Sequence, residues 1–134
     1  PSPYGVGVPV VSLVLASLAA LLHVYFFVLE SLLFRRPVAY RAFGTRAEDV
    51  ETLEFSMYNQ GFYNLFLAIG AAVGVVLWAV NGVGDVAGRT LLLFSLGSML
   101  AAALVLITSG RKYLRPATIQ GTLPLIGFVL TLLA

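Results

Sequence analysis

Four stretches of this chain, at about residues 10–34, 55–80, 90–109 and 117–133, hold a single Asp, Glu, Lys or Arg between them, and that one is Glu30. A helix needs about 20 predominantly apolar residues to cross a bilayer, and each stretch reaches or approaches that length. Because the bilayer core offers no water, a spanning segment must satisfy its own backbone groups, which a helix does. No stretch alternates with period two, so the pattern does not support a β-barrel. Composition agrees: 60% of the 134 residues are hydrophobic and 10% are charged, against roughly 25% charged in soluble domains. So few polar residues could not cover a soluble globule, and a disordered chain would be far less apolar. The sequence predicts an all-α membrane protein, one four-transmembrane-helix bundle over residues 1–134. The first span is expected to be retained and not cleaved as a signal, because Pro1 to Pro9 holds no Lys or Arg and the apolar run is too long.

Loop charges give the expected orientation. Arg35, Arg36, Arg41 and Arg46 lie between spans one and two, and Arg111, Lys112 and Arg115 between spans three and four. The middle connection holds only Arg89. Seven of the eight basic residues therefore place loops one and three in the cytoplasm and both termini outside, in a cell (inner or plasma) membrane. The same placement accounts for the net charge of +2 without a nucleic-acid partner. Before span two, Thr45-Arg46-Ala47-Glu48 fits a capping box, followed by Asp49, Glu51 and Glu54 in the first turns.

With this orientation, the strongly polar intramembrane residues gather in the cytoplasmic half. His23 and Glu30 are seven apart, two turns along one helical face and about 10 Å along the axis. Gln60 and Asn64 form one i,i+4 pair on span two, and Asn59 and Tyr63 form another. Gln120 lies at a similar depth on span four. Polar groups facing lipid are costly, so both stripes are expected to point into the bundle. Glu30 needs compensation there, by protonation, by an amide from span two, or by Arg35, Arg36 or Arg111 reaching up. Glu30 and His23 are the candidates for acid–base chemistry, and Asn59, Gln60, Tyr63, Asn64 and Gln120 for holding a ligand's head group.

The chain has no cysteine and one histidine, a poor donor set for a metal, so no metal site is expected and no cofactor is identified. Gly70 and Gly74 form a GxxxG, and Gly97 with Ala101 a similar pair. Such faces mark close helix packing, within one chain or between copies of a homo-oligomer.

The runs Leu22-His23-Val24-Tyr25-Phe26-Phe27-Val28-Leu29-Glu30, Asn59-Gln60-Gly61-Phe62-Tyr63-Asn64-Leu65-Phe66-Leu67 and Ile119-Gln120-Gly121-Thr122-Leu123-Pro124 resemble the small bacterial four-helix membrane family called domain of unknown function 1304. The resemblance covers nearly the whole chain and departs at Phe34, where the family implies a tryptophan. It implies four spans and carries no activity with it. Its signature positions coincide with the polar residues singled out above.

Three functions follow as expectations. The favoured one is a membrane protein whose cytoplasmic-half pocket binds a lipophilic small molecule from the bilayer, with or without acting on it. The others are an accessory subunit of a membrane complex and a small proton-coupled transporter.

Overall fold

The computed structural model describes residue 3 and residues 5–134. Helix α1 (Gly7–Phe27) runs on into a π-helical turn (Val28–Leu32), and a short α2 (Pro37–Ala42) follows. A 3₁₀ turn (Ala47–Asp49) opens the long α3 (Val50–Asn81); then come α4 (Val86–Thr108), a second 3₁₀ turn (Arg111–Tyr113) and α5 (Leu114–Leu133). The described residues contain no strand, and four helices are long and apolar enough to cross a membrane. Each helix starts a few residues before its apolar run. Hydropathy marks where a helix meets lipid, whereas backbone hydrogen bonding continues through the polar turns outside.

The long helices form a ring in which α1 packs on α3 and α5, and α4 packs on the same two. Successive members are antiparallel, so the loops carrying the seven clustered basic residues lie at one end of the ring. The interior is narrow because its walls are small. Ala16, Ala19 and Ala71 are fully buried there with Leu92, Leu96 and Met99. At Gly74 a Cβ would stand 2.9 Å from the backbone nitrogen of Leu92, and at Gly70 it would press on Ser95 Oγ. The GxxxG face therefore joins α3 to α4 inside the chain. Gly97 likewise meets Phe128 of α5, while Ala101 is exposed. Within α5, Thr131 Oγ1 donates to Gly127 O at 2.7 Å, which leaves Ser12 Oγ of the neighbouring α1 to donate to Thr131 Oγ1 at 2.6 Å.

One local expectation fails. No capping box forms, because the helix begins as a 3₁₀ turn with Arg46 and not Thr45 as its N-cap. Glu48 pairs with Arg46 at 2.8 Å instead of reaching back to Thr45, and Asp49 binds the same guanidinium. Phe34 packs with Tyr40 and Val50 in a small second cluster that closes the loop against α3.

Candidate functional site

The site begins where α1 stops being regular. Leu33 N donates to Val28 O at 3.0 Å, five residues back, so the last turn is wider than an α turn. Turns of this kind are rare and recur at functional positions. Glu30 sits within it, only 2% exposed. Its backbone can approach α3 because residue 61 is glycine: a Cβ there would collide with Ser31 Oγ and stand 3.1 Å from Glu30 Cβ. Ser31 Oγ fastens the turn by donating to Tyr58 O at 2.7 Å.

Asn64 Nδ2 donates to Glu30 Oε1 at 3.1 Å. The Gln60 side chain lies beside the same carboxyl without forming a hydrogen bond of good geometry. Glu30 Oε2 is buried and has no partner. Of the compensators the sequence left open, the structure supplies the amide. Arg35 does not reach Glu30; it makes a two-pronged pair with Glu54, Nε to Oε1 and Nη2 to Oε2, both at 2.7 Å.

His23 is fully buried one helical stretch deeper. Its Nδ1 lies 2.8 Å from Ala19 O, and since a carbonyl only accepts, Nδ1 carries the proton. In a neutral ring Nε2 is then an acceptor, and this atom too is buried without a partner. Ser12 opposite Thr131 and Ala16 beside Gly127 fix the α1–α5 register, which brings Gln120 level with His23. Pro124 has no N–H, so the Gln120 carbonyl lacks the donor a regular helix would give it.

The sequence-predicted residues divide accordingly. Glu30 and Asn64 meet between α1 and α3, with the exposed Gln60 beside the carboxyl at their edge, while His23 and Gln120 share a level on the neighbouring helices α1 and α5. Asn59 and Tyr63 face outward, Tyr63 with 63% of its surface exposed. The expectation that the whole span-two stripe points inward is thus corrected. Four polar residues within six positions cover too wide an arc for one interface, and Gly61 and Asn64 set which part of it meets α1. Tyr63 lines an apolar groove of about 340 Å³ between α3 and α4 with Phe66, Gly70 and Phe94.

Sequence reasoning missed the π turn, which no Pro or Gly announces, and it missed the Arg35–Glu54 pair. Opposite charges at the matching ends of two antiparallel neighbours could have signalled that pair. Beside it lies a cleft of about 250 Å³ whose polar wall is Glu30, Ser31, Arg35, Arg36, Glu54 and Tyr58. Among the described residues no group of three His, Cys, Asp or Glu side chains could hold a metal ion.

A family model described as a protein of unknown function, DUF1304, matches residues 17–132. The chain belongs to this family. The match takes in every residue of the candidate site described above, from His23 and the π turn to Gln120. No curated protein and no solved structure matches the chain.

Proposed function

We propose that this DUF1304 protein binds the polar head of a lipophilic small molecule in the end of its bundle that carries the arginine-rich loops, with Glu30 as the central contact. One observation carries the reading: a carboxyl group 2% exposed inside an apolar bundle has one oxygen held by Asn64 and the other with no partner. Leaving a buried polar atom unpaired costs about 1–3 kcal/mol, more when it is charged. Native structures keep few such atoms, and here His23 Nε2 is a second. A head group bearing hydrogen-bond donors would satisfy the Glu30 oxygen. Gln60, beside that carboxyl, would orient the head group, and Gln120 would serve one level deeper.

Native mass spectrometry of the protein in mild detergent tests this. Wild type should carry a defined extra mass, and Glu30→Gln should lose it, because the amide offers N–H groups where the ligand needs an acceptor. Bare protein in both forms would sink the reading and favour a structural or proton-handling Glu30. A stoichiometric protein partner in its place would favour the accessory subunit.

The charge bias supports a cell membrane with the site end in the cytoplasm. The chain lacks cysteine, so single cysteines can be introduced cleanly. A cysteine at Val38 should be shielded from an impermeant thiol reagent in intact cells, and one at Gly84 should react. The reverse pattern would invert the orientation.

A further inference from the structure

The cleft beside the π turn narrows the chemistry of that head group. Three of its six polar wall residues, Arg35, Arg36 and Glu54, carry formal charge, and Glu30 is a fourth titratable group. Arg35 and Glu54 neutralise each other through two parallel hydrogen bonds. Arg36 makes no ion pair among the described residues, and its exposed guanidinium keeps its donors open. The wall therefore offers two unmet needs. At the rim, a guanidinium wants an anion, and its fork geometry suits a phosphate. Behind the inner wall, Glu30, itself a lining residue, has in Oε2 a buried oxygen without a donor, which a small side-chain movement would have to uncover.

Depth favours phosphate over other anions. Arg36 lies two residues beyond the apolar run that ends at Phe34, which sets it at the level where a bilayer holds its own phosphates. Tyr58, half exposed across the cleft, is an aromatic of the kind found at that interface.

Resting on the ligand-pocket reading above, we infer that the cleft recognises a phosphate bearing a nearby hydroxyl or primary amine: the phosphate goes to Arg36, and the hydroxyl or amine donates to Glu30. This chemistry belongs to the head groups of phosphatidylglycerol and phosphatidylethanolamine and equally to a free glycerol phosphate. Phosphatidylcholine has the phosphate and no donor.

Nanodiscs with equal parts of these three lipids, released into a native mass spectrometer, test the inference. Wild type should retain phosphatidylglycerol and phosphatidylethanolamine well above phosphatidylcholine. Arg36→Gln should lower retention of both about tenfold, the factor for one charge-assisted hydrogen bond, and Arg36→Lys should recover part of it. Glu30→Gln should remove the preference over phosphatidylcholine. In a second arm, glycerol 1-phosphate is added to lipid-stripped protein in detergent. A rise in melting temperature that Arg36→Gln abolishes would indicate the free compound, and retention of intact lipid alone would indicate the bilayer. Either source supports the inference. Equal retention of all three lipids overturns it, as does indifference to Arg36→Gln in protein with wild-type helicity and elution. A non-phosphate mass that still requires Glu30 would sink this inference and leave the pocket standing, whereas a wild type that retains nothing would sink both.

Discussion

Gly74→Leu should destabilise the bundle by about 3 kcal/mol, at the upper end of overpacking effects. The Cβ it introduces would meet Leu92 N at 2.9 Å, Leu92 Cγ at 3.0 Å and Gly88 O at 3.1 Å. Two of those atoms are backbone, so relief requires the whole of α4 to move away from α3. Gly74→Ala should show a smaller loss of the same kind. Gly84→Ala is the control, since nothing lies within 4 Å of that Cβ, and it should change little. Denaturation in mixed detergent micelles, followed by helicity, gives the comparison. Equal stability of Gly74→Leu and wild type would mean that α3 and α4 are not packed as described.

The second large effect is expected at Asn64. An ordinary interhelical side-chain hydrogen bond in a membrane is worth about 0.6 kcal/mol. Asn64→Leu should cost more, about 2 kcal/mol, because it strands a carboxyl group whose other oxygen already has no partner. Replacing both members changes the sign of the argument. In Glu30→Leu/Asn64→Leu no polar atom of the pair remains to be satisfied, so the double variant should recover most of the loss, by at least about 1 kcal/mol over additivity. On the proposed function, that variant would be stable and unable to bind. A thermal-shift series across the four proteins measures the coupling. Additive losses would show that Asn64 and Glu30 do not interact.

The four spans were legible because the bilayer imposes one strong requirement, and Glu30 is the only charged residue that breaks it. That Glu30, His23 and Asn64 would be turned away from lipid was legible for the same reason. The outward turn of Asn59 was not. Asn59 and Asn64 look alike in hydropathy, and their difference arises from Gly61, which allows the π turn to settle against α3 with Asn64 next to the carboxyl. Gly70, Gly74 and Gly97 do sit on packing faces and Ala101 does not, and spacing alone does not say whether the partner helix belongs to the same chain. Leu92 and Ser95 supply that answer. The capping box failed on a smaller scale: the motif was present, and a helix start shifted by one residue put Arg46 where Thr45 was needed.

The closely packed middle of the bundle has an electrical consequence. Ala16, Ala19, Ala71, Leu92, Leu96 and Met99 have no accessible surface, so they act as a dielectric plug between the arginine-rich end and the far side. Carrying one elementary charge through the full field is worth about 2.3 kcal/mol per 100 mV. Glu30 lies within two helical turns of Arg35 and Arg36, on one side of that plug, and a proton reaching it crosses only a small part of the voltage drop. With the bundle spanning a bilayer, a proton exchanged with the arginine-rich end would feel little of the membrane voltage.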